Sequence, residues 1–333
     1  MDLNKLTNNN KILYHILGNN KVLNIDPISV EIHLTNDCNA NCGFCSYKMR
    51  KRKKEQISSD KLQELLKSLV KLQVKSVYLS GGGEPTLHPD IEYVIKFLHK
   101  KNIKVALITN GMNEEIIKRA ASYCEYILIN IPDHKKMECK KMMGIENIDK
   151  IKLLPRELEN KCLLGARIVL TDKNTSSFEE SAKEISSWGF DYVQCTPAVD
   201  YEKQEYLLSD KILKNISKGL IFNNKDVSLM YKESNDSEIN DCFSINNRLH
   251  TTINALGEVY LCPTLVSINR DLSIGNINEV KLEELWNSKN HKEIIDFINI
   301  NCVPAKCSFC RFNGYNKLIQ NLIKQENPHK DFL

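Results

Sequence analysis

From residue 28 to 198 the chain alternates short β-branched runs with longer amphipathic stretches, and that alternation limits the fold more than any other feature. The runs Ser29–Thr35, Ser76–Ser80, Lys104–Asn110, Tyr126–Ile131, Ala166–Thr171 and Tyr192–Pro197 read as strands. Between them Ser58–Leu72, Asp90–Lys101, Asn113–Ser122, Asn147–Asn160 and Ser176–Trp188 repeat apolar residues at i, i+3 and i+4, the period of a helix with one buried face. Ser58 and Asn113 stand where N-caps belong. A strand followed by a crossover long enough to hold a helix returns parallel to the first, through a right-handed connection. The expected fold class is therefore α/β: a partial (β/α)6 barrel of parallel strands over residues 28–199, two units short of a closed eight-fold barrel. Parallel sheets carry their chemistry at the carboxyl ends of the strands.

The pattern then changes. Residues 200–241 are polar and read as a linker with a helix. His250–Asn254 and Glu258–Leu261 flank Ala255-Leu256-Gly257, a hairpin signature, and Leu282–Ile298 is helical with Trp286 on its apolar face. Residues 242–333 are expected to form a small C-terminal cysteine-rich domain, and residues 1–27 an N-terminal extension. A net charge of +4 gives no general attraction to nucleic acid or membrane. The basic block Lys48–Lys54 lacks the interleaved aromatics of a nucleic-acid surface; it reads as a solvated loop or as a screen for an anionic substrate. No stretch reaches the roughly 20 apolar residues of a membrane span. The polar start, Met1-Asp2-Leu3-Asn4-Lys5, has no secretory apolar region, so a cytoplasmic protein is expected. In that reducing compartment the twelve cysteines suit metal binding or catalysis better than disulfides.

Three of them, Cys38, Cys42 and Cys45, fall within eight residues directly after the first strand. Three closely spaced thiolates in a loop suit a [4Fe–4S] cubane with one iron left unligated by protein, open to chelation by another molecule. Structural zinc is the alternative, but it takes four ligands and no fourth lies nearby in sequence.

The triplet and its surroundings resemble the radical S-adenosylmethionine (SAM) superfamily over roughly residues 28–198. Phe44 stands at the aromatic position that in this family lies beside the adenine. Gly81-Gly82-Gly83-Glu84-Pro85 ends the second strand like the family's GGE motif, implying that Gly82, Gly83, Glu84 and Pro85 hold the SAM amino group. Thr109-Asn110-Gly111 ends the third strand, Asn130 ends the fourth near the expected ribose, and Arg167 matches a basic position that meets the SAM carboxylate. Asn174, just past the fifth strand, is a weaker candidate or a strand-end cap. The resemblance implies a [4Fe–4S] cluster with an open iron, SAM as cofactor, and a flavodoxin- or ferredoxin-type electron donor.

The C-terminal cysteines resemble part of a SPASM domain or the shorter twitch domain. Cys242, Cys262, Cys307 and Cys310 are the ligands this implies for one auxiliary [4Fe–4S] cluster, zinc being the alternative, and Cys302 departs from the pattern as a spare thiol, an alternative ligand or a hydrogen donor. Cys195 ends the sixth strand and is a candidate hydrogen donor, since a thiol S–H can quench a carbon radical; a small buried core residue is the plainer reading. Cys124, Cys139 and Cys162 read as packing or surface thiols. The expected activity is hydrogen abstraction by a 5′-deoxyadenosyl radical, dehydrogenating or epimerising a small polar metabolite of sugar or aminocyclitol type. Modification of a ribosomally made peptide is the alternative, and a non-catalytic iron–sulfur or zinc regulator is the alternative of another class.

Overall fold

The computed structural model describes residues 26–47, 54–200, 205–208, 227–229, 242–246, 248–268 and 270–301. Cys302, Cys307, Cys310 and most of the basic block lie outside the described residues. Strands and helices alternate as the periodicity requires: β1 (Ser29–His33), α1 (Ser59–Lys71), β2 (Ser76–Ser80), α2 (Ile91–Lys100), β3 (Lys104–Thr109), α3 (Glu114–Ala120) and β4 (Tyr126–Asn130). Then come α4 (Lys136–Met143), α5 (Ile148–Ile151), α6 (Leu154–Glu157), β5 (Leu163–Leu170), α7 (Phe178–Ser187) and β6 (Tyr192–Pro197). Strands β1 to β6 pair in sequence order, all parallel, and the sheet does not close.

Burial explains the helices. In α1, Leu62, Leu65, Leu66 and Leu69 repeat at i, i+3, i+4 and i+7 and are at most 2% exposed. Each such leucine contributes about 1.5–3 kcal/mol. The helix ends where Gln73 takes a left-handed φ of 50°. Val74 N–H then donates to Leu69 O and Gln73 N–H to Val70 O, both at 3.1 Å, a Schellman close. Asn102 ends α2 the same way, with Ile103 N–H on Leu98 O.

Three helical segments differ from expectation, and the described parts of the segment read as a linker include strands. The single helix expected over 147–160 is two short ones, because Pro155 has no N–H to continue the first. The helix expected over 282–298 is broken at Ser288, whose Oγ donates to Leu285 O and accepts from His291 N–H. Helix α4 was not expected at all: its apolar face is made of Cys139, Met142 and Met143, a weak periodic signal.

Beyond β6, β7 (Val199–Asp200) and β8 (Glu205–Tyr206) form a small hairpin, and β9 (Val227–Leu229) pairs parallel with β6. The C-terminal segment supplies α8 (Phe243–Asn246), β10 (His250–Ile253), β11 (Glu258–Tyr260), α9 (Pro263–Ile268), β12 (Gly275–Asn276), α10 (Leu282–Trp286) and α11 (Lys289–Asn301). The expected hairpin is β10–β11, turning at Gly257 with φ 84°. Its first strand pairs parallel with β1, Ser29 opposite His250, so the cysteine-rich segment shares the sheet of the barrel. No helix among the described residues is long and apolar enough to cross a membrane.

Candidate active site

The carboxyl ends of the parallel strands open on a cavity of about 520 Å³. Cys38, Cys42, Cys45 and Phe44 line it from the loop after β1, Gly82, Gly83 and Glu84 from the loop after β2, and Thr109 and Asn110 from the end of β3. Asn130 and Arg167 complete that wall from β4 and β5, with Arg167 Nε–H donating to Asn130 Oδ1 at 2.6 Å. Residues separated by 129 positions of chain are thus brought to one surface because each ends, or follows, a parallel strand.

Local geometry fixes the cysteine loop at both ends. Thr35 O accepts from Gly83 N–H and Asp37 O from Glu84 N–H, both at 2.8 Å, lacing the cysteine loop to the glycine loop. This approach explains the glycines. A Cβ on Gly83 would stand 2.0 Å from Asp37 O, and one on Gly82 would stand 2.2 Å from Asn36 Oδ1. On the far side Asn41 N–H donates to Met143 O at 2.8 Å and Gly43 N–H to Met142 O at 3.4 Å. Those carbonyls are the last of α4, left unpaired within the helix and so available to the loop. The helix that the sequence periodicity did not mark is therefore a mooring of the cysteine loop. Asn110 Nδ2 donates to Asn39 Oδ1 at 2.8 Å, tying the end of β3 to the residue after Cys38.

Glu84 is 3% exposed and is more than a wall residue. Its Oε1 accepts from Thr86 N–H, Thr86 Oγ–H and Thr109 Oγ–H at 3.1, 2.7 and 2.7 Å. Its Oε2 accepts from Asn110 N–H at 2.8 Å. Burial pushes its carboxyl above the usual carboxylate range, opposed by the hydrogen bonds from Thr109, Asn110 and Thr86. Four protein donors converge on the group, three on Oε1 and one on Oε2, so Oε2 keeps one acceptor site. Its first task is to clamp the ends of β2 and β3 together.

Pro85 does not line the cavity; it opens the buried 3-10 turn Pro85–Leu87. Asn174 does not line it either. Its side chain accepts from Thr171 N–H and donates to Pro132 O and Val169 O, closing the β5 end as a cap. Cys195 is a correction. Gln194 and Thr196 line the cavity, so Cys195 between them points to the opposite face, as successive strand residues must. It is fully buried in the apolar cluster that holds Ala182 and Ile185 of α7, and burial pushes its thiol up to about 12. A donor to a radical in the cavity cannot act from there. Cys124 and Cys139 are also buried thiols, both pushed up to about 12, and Cys139 Sγ–H donates to Asp133 O. Cys162 is half-buried.

Of the expected auxiliary ligands, Cys242 is buried just before α8, and Cys262 is half-buried just after β11. Pro263 and Thr264, which follow Cys262, line the same cavity as the first three cysteines. Among the described residues no three His, Cys, Asp or Glu side chains converge as ligands of one ion would. Cys38, Cys42 and Cys45 share a cavity without sharing a point. That donor set suits a polynuclear cluster, in which each thiolate takes its own iron, better than one zinc.

The model of the radical SAM superfamily matches residues 32–185, and that of the SPASM iron–sulfur cluster-binding domain matches residues 242–311. The chain belongs to the radical SAM superfamily. Its SPASM match extends the identification to the branch with auxiliary iron–sulfur clusters, so the cofactors are a [4Fe–4S] cluster, SAM and auxiliary iron–sulfur. This radical SAM protein is 28% identical over 171 residues to mycofactocin maturase MftC of Mycobacterium ulcerans, covering 49% of this chain and 45% of that one. It is 22% identical over 310 residues to the tungsten-containing aldehyde ferredoxin oxidoreductase cofactor-modifying protein of Pyrococcus furiosus, covering 84% and 86%. The chain thus spans less than half of the first relative and most of the second. Its fold matches Streptococcus suis SuiB bound to precursor peptide SuiA, with a TM-score of 0.65 and 15% identity over 93% of this chain and 77% of that one.

The cavity also contains residues that the motifs did not mark: Glu31, Tyr78, Ser80, Tyr126, Gln194 and Thr196. Their signal was present. Each is a polar or aromatic side chain at an alternate position of a strand whose intervening residues are apolar, as in Val30-Glu31-Ile32-His33.

Proposed function

We propose that this radical SAM enzyme oxidises a C–H-bearing group of a peptide, which loses in total one hydrogen atom, one proton and one electron. When bound, SAM and the cluster at Cys38, Cys42 and Cys45 supply a hydrogen-abstracting 5′-deoxyadenosyl radical, and an iron–sulfur cluster at Cys242, Cys262, Cys307 and Cys310 supplies an electron acceptor. The observation that carries the oxidative reading is the shared wall: Pro263 and Thr264, directly after Cys262, border the same cavity as the three N-terminal cysteines. The core position of Cys195 also favours oxidation over epimerisation, because it withdraws the thiol proposed as hydrogen donor.

Phe44 offers an apolar face for the adenine, and Arg167, held by Asn130, suits the methionyl carboxylate. Oε2 of Glu84, which accepts only from Asn110 N–H among the described residues, and the backbone carbonyls of the glycine loop are the acceptors for the SAM ammonium. The peptide substrate rests on the fold shared with SuiB, which is bound to a precursor peptide, and on the similarity to a maturase. A small polar metabolite is the competing substrate class.

The test is anaerobic incubation of reconstituted enzyme with SAM, reductant and either precursor peptides encoded beside its gene or a panel of sugars and aminocyclitols. The proposal expects a peptide lighter by two hydrogens and made with one 5′-deoxyadenosine per product. Oxidation of a cyclitol with no change in any peptide would overturn the substrate class. A product of unchanged mass carrying solvent deuterium would overturn the oxidation.

A further inference from the structure

Seven and five residues before Cys38, β1 carries Glu31 and His33 on its cavity-side face, between the buried apolar residues Val30, Ile32 and Leu34. Glu31 is 8% exposed and lines the cavity. Its Oε1 accepts from Ser80 Oγ–H at 2.6 Å and lies 3.2 Å from His33 Nε2. Its Oε2 lies 4.0 Å from Nε2 of His250, which the C-terminal segment brings in on β10. His250 is in turn fixed, with Nδ1 2.8 Å from Ser29 Oγ and its ring edge-on to Tyr78. His33 is 1% exposed, and its Nδ1 has no hydrogen-bond partner among the described residues.

A buried carboxylate is costly unless hydrogen-bonded, and here Ser80 and His33 meet Oε1 while Oε2 stays on the His250 side at the edge of the cavity. The motifs that hold SAM and its cluster make no use of this group. Among the described residues the carboxylate and the two imidazoles do not converge as ligands of one ion would. They form a polar floor beneath the cavity, built jointly by the barrel and the C-terminal segment.

We propose that Glu31 is the proton acceptor of the reaction, in a subsite that takes an O–H or N–H group of the substrate next to the carbon that loses hydrogen. His33 and His250 are positioning residues that hold the carboxylate toward the cavity. The inference rests on the oxidative reading above. In the balance, the C–H hydrogen atom goes to the 5′-deoxyadenosyl radical, the O–H or N–H proton goes to Glu31, and the remaining electron goes to the auxiliary iron–sulfur cluster. A C=O or C=N bond forms.

Two measurements test this. With the precursor peptide that wild type oxidises as substrate, Glu31→Gln raises the ratio of 5′-deoxyadenosine to oxidised product by about 10² or more, the usual share of a general base, and Glu31→Asp restores part of the coupling. An unchanged ratio in Glu31→Gln overturns the assignment. The second needs no substrate: the infrared difference between wild-type protein carrying ¹³C-glutamate and the same labelled Glu31→Gln shows Glu31 as an ionised carboxylate at neutral pH. A protonated-acid band there overturns it, because such a group cannot accept. If wild type oxidises nothing, the oxidative reading has failed, and the infrared measurement still decides whether Glu31 can accept a proton.

Discussion

In Glu84→Gln the side chain keeps its size and loses its charge, and the consequence can be followed atom by atom. Three donors converge on Oε1, so the amide oxygen must take that position. The amide NH2 then faces Asn110 N–H, where the wild-type Oε2 accepts at 2.8 Å, and two donors meet. One buried backbone N–H is left unpaired, which costs about 1–3 kcal/mol. Glu84→Ala goes further. The Thr86 and Thr109 hydroxyls are free to rotate, but the Thr86 and Asn110 N–H groups are fixed by the backbone, so the loss from those two is about 2–6 kcal/mol at about 1–3 kcal/mol each. Urea titration of the anaerobically purified protein without SAM reads the stability, and equilibrium dialysis of the reconstituted protein reads SAM affinity. A clamp predicts that Glu84→Gln loses stability with no SAM present. Wild-type stability in Glu84→Gln, with SAM affinity down more than tenfold, would show that the carboxylate is a ligand of the ammonium and not a clamp.

Other substitutions test neighbouring parts of the site. Gly83→Ala forces a Cβ against Asp37 O, 2.0 Å away in the present backbone, so the cysteine loop must shift. Iron bound at Cys38, Cys42 and Cys45 should fall by about half or more, by an elemental assay, while Gly43→Ala, whose Cβ meets nothing within 4 Å, should keep its iron. Cys195→Ala should cost about 1 kcal/mol of stability in denaturant titration and leave the product unchanged in mass and deuterium content. Loss of product with continued 5′-deoxyadenosine formation would return Cys195 to the chemistry.

Much of this architecture was legible in the sequence, for identifiable reasons. The strands Ser76–Ser80 and Tyr126–Asn130 stood out because β-branched and aromatic runs sit between clear turn signals. The cysteine triplet, the glycine loop and the strand-end polar residues came together because a parallel sheet gathers its carboxyl ends on one side, whatever their separation in sequence. What was not legible depended on partners rather than on period. Helix α4 owes its place to the carbonyls it offers Asn41 and Gly43, which no hydrophobic pattern records. Cys195 is different: its place at a strand end suggested a donor, although the alternation Gln194-Cys195-Thr196 already puts it on the face opposite the cavity. Glu31 and His250 lie 219 positions apart, and only the pairing of β1 with β10 makes them neighbours.

The most direct test of the central claim is reductive cleavage of SAM by the anaerobically reconstituted protein, with Cys38→Ala, Cys42→Ala and Cys45→Ala beside wild type. Wild type should form 5′-deoxyadenosine and methionine in equal amounts. Each variant should form neither, while keeping the iron bound by the C-terminal cysteines. SAM cleavage at the wild-type rate in any of the three would contradict the assignment of the cavity formed by Cys38, Cys42, Cys45 and the glycine loop.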